Sequence, residues 1–380
     1  MAADTDRARS VTPATLRRRL ADGDPVTLLD VRDRTEVERW RIEAPASIHV
    51  PYMKFVAAGV AGDVTDLLPD DVREPVVVVC PHGEASAEVA DQLAAAGVDA
   101  ENLAGGMEAW ARLYDRREVA TTGDGATVYQ YRRPASGCLG YAVVADGEMA
   151  VIDPLRAFTD RYRADAADLD ATLTGAIDTH VHADHVSGVR TLAETGATPV
   201  LSRGAVARAA TTGDDAEVVA DGDELAVGDA TLGTVALPGH TTGMVGVAVD
   251  DVLLTGDSLF LDGVARPDLQ DDADPEAQAR DLYATLTERL AAFDDGTLIA
   301  PGHTDAGVAE GPVVARLGDL RERLPVFEMD EATFVEHVTR VGAEPANADR
   351  IVAINSGYES VDDDEAFELE LGPNNCAAGG

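Results

Sequence analysis

Thr179-His180-Val181-His182-Ala183-Asp184-His185 sets three imidazoles and a carboxylate within six residues, straight after an apolar stretch and before a helix-like one. Two more histidines stand in matching settings, Leu237-Pro238-Gly239-His240 and Ala300-Pro301-Gly302-His303, and between them lies Leu254-Thr255-Gly256-Asp257. Each run closes a strand-like segment, so seven liganding groups fall at four strand ends, where side chains converge on one edge of a sheet. Imidazole with carboxylate suits zinc, iron or manganese, and the absence of cysteine from these runs argues against a closed structural zinc site. His49 and His337 have no such company and receive no role.

The chain has 380 residues, enough for two domains at the usual ~100–200 residues each. Thirty Lys and Arg against seventy Asp and Glu give a formal charge of −40, and Lys54 is the single lysine. Such a field repels nucleic acid and anionic membranes, so neither is an expected partner. The acids are dispersed through both halves rather than gathered in a tail. That points to a surface adapted to high salt, where screening removes most self-repulsion, and the composition resembles that of haloarchaeal proteins. No run approaches the ~18 apolar residues of a spanning helix, and Met1 to Ser10 lacks the basic flank and apolar centre of a secretory signal. A cytoplasmic protein is expected, with a homodimer possible. Three distant cysteines, Cys80, Cys138 and Cys376, form no disulfide framework; Cys138 and Cys376 fit no motif and are read as structural.

The first part alternates strands and helices. Val26–Asp30, Ser47–Val50 and Val76–Cys80 read as strands, the last a β-branched run of the kind buried on both faces. Glu36–Ile42 and Ser86–Ala96 read as helices, and Val98–Leu103 as a final strand. A small α/β domain with a mainly parallel sheet follows. The polar segment 115–125 marks the boundary, giving domains 1–117 and 118–380. Beyond it, Thr127–Arg132, Gly140–Val144 and Met149–Ile152 read as a strand meander, Glu276–Phe293 as helix and Ile351–Ile354 as strand. Meander strands with interposed helices suggest a sheet sandwich covered by helices.

His-x-His-x-Asp-His, then Gly-His, Thr-Gly-Asp and Pro-Gly-His resemble the ligand set of the metallo-β-lactamase superfamily, from about Glu118 onward. The resemblance implies an αββα sandwich with metal at one edge. It would place one metal on His180, His182 and His240 and a second on Asp184, His185 and His303, with Asp257 bridging. Gly256-Asp-Ser-Leu-Phe260 followed by Gly263-Val-Ala-Arg266-Pro-Asp268-Leu-Gln270 is similar to the corresponding stretch of the persulfide dioxygenases. The related glyoxalase II hydrolases share its start and usually lose the Arg-x-Asp part. In the dioxygenases a single Fe(II) takes three of the groups, which by position are His180, His240 and Asp257. His182, Asp184, His185 and His303 would then orient those ligands and bound water. Two imidazoles and a carboxylate leave positions open for substrate and O₂. A hydrolase instead needs two zinc ions or a zinc-bound hydroxide. Arg266 is expected either to fix a carboxylate of the thiol carrier or to form an ordinary salt bridge.

In the first domain, Cys80 ends the valine strand and opens Pro81-His82-Gly83-Glu84-Ala85-Ser86 ahead of a helix. Backbone N–H groups and a helix start stabilise a thiolate or persulfide anion. Leu28-Leu-Asp30-Val-Arg32, Ser47-Ile-His-Val-Pro51, this loop and Asn102-Leu-Ala-Gly105-Gly106 together resemble the rhodanese domain over about Thr12 to Leu113. The resemblance implies a doubly wound sheet and makes Cys80 the sulfur-carrying nucleophile, exposed at the helix start. Ala85 stands where the rhodanese loop usually has arginine, and Glu84 adds negative charge. The expected whole is a sulfur dioxygenase with one Fe(II) per chain, acting on a small thiol persulfide and O₂. The alternatives are a two-zinc thioester hydrolase, and a rhodanese half that senses sulfur or docks partners without catalysis.

Overall fold

The computed structural model describes residues 8–123, 125–211, 215–270, 272–304, 311–340, 345–371 and 377, so Cys376 lies outside the described residues. They divide into two compact units. One runs to Leu113 and includes Arg133–Ser136; the other holds Tyr114–Arg132 and the chain from Gly137 onward.

In the first unit Val76–Val79 is fully buried and sits at the middle of a five-stranded sheet. The strands lie in the order Arg9–Val11, Ala100–Leu103, Val76–Val79, Thr27–Asp30, Ser47–His49, and all pair in parallel. Because successive strand residues face opposite sides, Val76 and Val78 pack with Phe55, Val89 and Leu93, while Val77 and Val79 pack with Leu16, Met107 and Trp110. Helices on both faces make this covering possible. One of them, Pro13–Ala21, starts with proline in its first turn and with the Thr12 hydroxyl accepting from the Thr15 N–H. The expected doubly wound α/β domain is what forms.

The second unit stacks two sheets. A seven-stranded sheet carries Glu217–Val219, Thr198–Ser202, Thr172–Asp178, Glu148–Ile152, Leu139–Ala145, Thr127–Arg132 and Asp115–Thr121 in that order. A six-stranded sheet carries Glu224–Val227, Ala230–Ala236, Val245–Val249, Val252–Gly256, Leu298–Pro301 and Ala315–Arg316. Tyr141, Val143, Ile152 and Ile177 of the first interdigitate with Leu232, Val247, Val252 and Leu254 of the second. Each such side chain contributes about 1.5–3 kcal/mol on burial. Leu282, Leu286, Leu320 and Phe334 cover the outer face of the second sheet, and Tyr162, Ala166 and Leu192 that of the first. This is the αββα sandwich.

Two local readings are corrected. Asp115–Thr121, read as polar linker, is a strand paired antiparallel with Thr127–Arg132. As the edge strand it needs only one covered face, so its charges are tolerated. Ile351–Ile354, read as strand, belongs to the helix Ala348–Asn355, whose Ile351 and Ile354 are buried three residues apart on one face. Among the described residues no helix is long and apolar enough to cross a membrane.

Candidate metal centre and cysteine loop

Pairing direction carries the candidate ligands to one edge. Val252–Gly256 and Leu298–Pro301 are parallel, so Asp257 and His303 leave the sheet at the same end. Ala230–Ala236 lies two antiparallel steps from Val252–Gly256, which returns it to that direction and brings His240 there as well. Thr172–Asp178 of the other sheet supplies the His180 loop, joined across by the Val245 N–H donating to the Thr179 carbonyl at 3.0 Å. Gly302 is required by contact: a Cβ there would lie 2.4 Å from Asp257 Oδ1. The turn before His303 passes directly over the carboxylate.

Three groups converge with their ligating atoms facing each other. His180 Nε2 and His240 Nε2 lie 3.9 and 3.8 Å from Asp257 Oδ2, and all three residues are buried. Their remote atoms are engaged. The Thr179 hydroxyl, 2.9 Å from Asp153 Oδ2, also meets His180 Nδ1 at 2.9 Å. With its own proton given to Asp153, Thr179 can only accept, so His180 carries hydrogen on Nδ1 and a lone pair on Nε2. His240 Nδ1 donates to the Arg266 carbonyl at 2.9 Å, which fixes the same tautomer. Asp257 Oδ1 receives His303 Nδ1 at 2.6 Å. Yet His180 Nε2 and Asp257 Oδ2 are buried without a hydrogen-bond partner. Buried polar atoms left so are costly, and oriented outer nitrogens with open inner ones are how metal-binding imidazoles are held. Burial, then the neighbouring His182 and His240, pushes the His180 imidazole well below its usual range, which keeps it neutral as a ligand must be. The donor set fits a divalent cation of the iron, zinc or manganese class.

The other four residues are placed differently. His182 turns to Asp153, 3.1 Å from its Oδ1, with Asp178 Oδ1 at 3.6 Å. Burial and His185 oppose a charge on it, but Asp153 and Asp178 outweigh them and push it up to about 9. Asp184, His185 and His303 gather in a separate group that includes Cys138. Sequence reasoning missed both Asp153 and Cys138. Asp153 follows the strand Glu148–Ile152 and precedes Pro154, so a strand-end acid before proline was the available signal; its backbone is left-handed, at φ 51°. The His180–His185 loop is pinned by distant residues. Asn355 Nδ2 donates to the His182 and His185 carbonyls at 2.9 and 2.8 Å, its Oδ1 accepts from the Ser187 N–H, and Glu370 accepts from the Val186 N–H.

Arg266 is 2% exposed and makes a two-pronged pair with Asp268, Nε to Oδ1 at 2.7 Å and Nη2 to Oδ2 at 2.8 Å. The pair is a salt bridge, buried rather than at the surface. What Arg266 gives the centre is its carbonyl. Asp268→Asn would remove the carboxylate from this buried two-pronged pair, an expected loss of about 1.5–3 kcal/mol. Urea denaturation will register it as a lower midpoint, and an unchanged midpoint would mean the pair is dispensable.

In the first unit, Cys80 follows Val76–Val79 and is only 2% exposed, so the exposed thiol expected at the helix start is instead covered. The Gly83 N–H donates to its Sγ at 3.1 Å, and the Ser86 hydroxyl lies 3.0 Å from Sγ and 2.7 Å from Asn102 Oδ1. The helix Glu84–Ala95 begins within this loop. Gly106 allows the loop to close: a Cβ there would lie 2.2 Å from the Cys80 carbonyl oxygen. His82 is exposed and its Nδ1 lies 3.1 Å from Glu108 Oε2, so any positive charge it gains is spent locally.

Residues 12–113 match the rhodanese-like domain and residues 133–303 the metallo-beta-lactamase superfamily. A metallo-beta-lactamase of Staphylococcus aureus subsp. aureus COL shares the fold, with TM-score 0.56, 24% identity, and 62% of this chain and 73% of that one covered. The chain belongs to the metallo-beta-lactamase superfamily and carries a rhodanese-like domain ahead of the sandwich. Within the superfamily it is 32% identical to the mitochondrial persulfide dioxygenase ETHE1 of Bos taurus, over 53% of this chain and 78% of that protein. It is also 31% identical to the hydroxyacylglutathione hydrolase of Rhodospirillum rubrum, over 53% and 86%. The solved structure of ETHE1 from Myxococcus xanthus aligns with TM-score 0.52 and 30% identity, over 60% of this chain and 97% of that one. Fold and relatives are those of a metal-dependent enzyme.

Proposed function

We propose that this protein is a persulfide dioxygenase with one Fe(II) held by His180, His240 and Asp257. The reaction is R-S-SH + O₂ + H₂O → R-SH + SO₃²⁻ + 2H⁺, in which four electrons pass from the persulfide to dioxygen and the S–S bond breaks. The supporting observation is the contrast between the two donor groups. His180, His240 and Asp257 make no hydrogen bonds to one another and face a common centre, whereas in the second group Asp184 Oδ2 already meets His185 Nδ1 and His303 Nε2, and His185 Nε2 is the imidazole nitrogen left buried without a partner there. Two imidazoles and one carboxylate is the donor set of non-haem ferrous oxygenases.

Ferrous iron in that set supplies the vacant positions and one-electron chemistry that dioxygen needs in order to react with a sulfur anion. The chain's residues do the rest. Thr179 and the Arg266 carbonyl hold the two imidazoles in one tautomer. His303 keeps a proton between Asp257 and Asp184, since burial alone would expel it but the two carboxylates push its affinity well above the usual range. Cys80 takes sulfane sulfur from a donor such as thiosulfate, Cys-S⁻ + S-SO₃²⁻ → Cys-S-S⁻ + SO₃²⁻, with the Gly83 N–H stabilising the anion.

Iron-loaded protein prepared without oxygen should consume about one O₂ per sulfite formed from a small thiol persulfide, and chelation should stop it. The Rhodospirillum rubrum relative and the presence of Asp184, His185 and His303 favour, as second reading, a two-zinc thioester hydrolase. Acyl-thiol cleavage by zinc-loaded protein, with no oxygen uptake by the iron form, would establish that reading instead.

A further inference from the structure

We propose that Asp153 is a positioning residue that decides which nitrogen of His180 faces the cation, acting through the Thr179 hydroxyl and touching neither metal nor substrate. This deepens the reading of His180, His240 and Asp257 as the metal centre and rests on it.

Asp153 is 3% exposed and stands where the strand Glu148–Ile152 ends. Its N–H donates at 2.8 Å to the carbonyl of Ile177, on the strand Thr172–Asp178 that leads into the histidine loop. At φ 51° its backbone lies in the left-handed region, which an L side chain adopts at a cost. Strain of this kind persists only where the surroundings over-determine it, and it gathers at working sites. Here the turn aims the carboxylate at the histidine loop. The Thr179 N–H donates to Oδ1 at 2.7 Å, the Thr179 hydroxyl donates to Oδ2 at 2.9 Å, and His182 Nε2 lies 3.1 Å from Oδ1.

A carboxylate only accepts, and a hydroxyl has one hydrogen to give. Asp153 takes that hydrogen. The Thr179 oxygen, 2.9 Å from His180 Nδ1, is left to accept from the ring, which puts the ring hydrogen on Nδ1 and keeps Nε2 open. The other sheet seats the hydroxyl: a Cβ on Gly256, the residue before Asp257, would lie 2.8 Å from Thr179 Oγ1. Exchanging the carboxylate for an amide reverses this chain of donors. In Asp153→Asn the Thr179 N–H still needs an acceptor, so the amide oxygen takes the Oδ1 place and the NH₂ group turns to the Thr179 oxygen. The hydroxyl hydrogen is then released toward His180 Nδ1, and the ring hydrogen moves to Nε2, where the cation should sit. No atom of the three ligands has been changed.

The test reads the tautomer and the cation separately, on the full-length chain. The protein has eight histidines, and His180→Gln identifies the ring signal that belongs to position 180. Nitrogen NMR of metal-free, ¹⁵N-histidine-labelled wild type should show His180 with its hydrogen on Nδ1, and Asp153→Asn should show it on Nε2. Co(II) affinity should fall about 10–100-fold in Asp153→Asn, the range seen when a group orienting a metal ligand is removed. Thr179→Val, which deletes the relay oxygen, should fall by about as much, and Thr179→Ser, which keeps it, should stay within about threefold of wild type. A merely structural Asp153 would lower stability without reversing the ring, so an unreversed His180 in folded Asp153→Asn would overturn the proposal. So would a reversed ring with wild-type Co(II) affinity, or equal affinities in Thr179→Val and Thr179→Ser. Should Asp153→Asn not fold, the two Thr179 variants decide. Failure of the underlying metal reading would look different, with His180→Gln binding Co(II) as tightly and as fully as wild type. Failure of the dioxygenase reaction, seen as absent oxygen uptake, would leave both readouts untouched.

Discussion

Asp257→Asn protein, prepared without oxygen, will retain less than about a tenth of the wild-type iron and lose at least about 100-fold in oxygen uptake. Replacing partners that merely orient ligands costs roughly 10–100-fold, and removing a ligand's charge costs more. Asparagine keeps the shape but not the anion, and it also leaves His303 facing an amide where it had 2.6 Å contact with a carboxylate. His182→Ala is the control. Its ring is turned to Asp153 and Asp178, so iron content should fall by no more than ~10-fold. If the two variants lost metal equally, a two-metal centre with one cation on His180, His182 and His240 and Asp257 bridging would replace the mononuclear assignment.

Cys80→Ser should abolish thiosulfate:cyanide sulfur transfer, by about 1,000-fold or more, and leave oxygen uptake with a free thiol persulfide intact. A serine hydroxyl is essentially un-ionised near neutral pH and cannot hold sulfane sulfur as a persulfide. The substitution is nearly isosteric, and Gly83 N–H and Ser86 remain to hydrogen-bond the hydroxyl, so the domain should stay folded. Unchanged sulfur transfer would mean that the cysteine loop serves recognition and not chemistry. The covered thiol, 2% exposed, adds a requirement: a donor reaches it only when the loop 81–86 opens.

The layered architecture and the clustering of histidine and aspartate side chains were legible because strand ends announce themselves. An apolar run followed by Pro-Gly or Thr-Gly and then a histidine or aspartate is local information that occurs three times, and the pairing directions only had to align those ends with a fourth, the run into Thr179-His180. What was not legible depended on partners far away in sequence. Ile351-Val352-Ala353-Ile354 has strand-like composition, and burial of Ile351 and Ile354 against Val186 decided for helix. Asp115–Thr121 looked like a linker because an edge strand can carry charge. Arg266 had its counter-ion two residues away, yet only the structure shows that the pair is buried. Cys138 had no motif at all; its neighbours Asp184 and His303 are brought to it by the sandwich. His182 sits in the middle of the most recognisable run, but its orientation is set by Asp153, 29 residues upstream.

The clamp on the histidine loop has a consequence for biosynthesis. Asn355 and Glu370 bind that loop from 170 to 184 positions downstream. On a ribosome, the histidines would emerge long before the residues that fix their backbone, and nascent chains would present loose imidazoles without a finished cradle. Cation capture is thereby deferred to a late moment of translation, and chains terminated before Ala348 should accumulate apo and prone to proteolysis even though every ligand has been made.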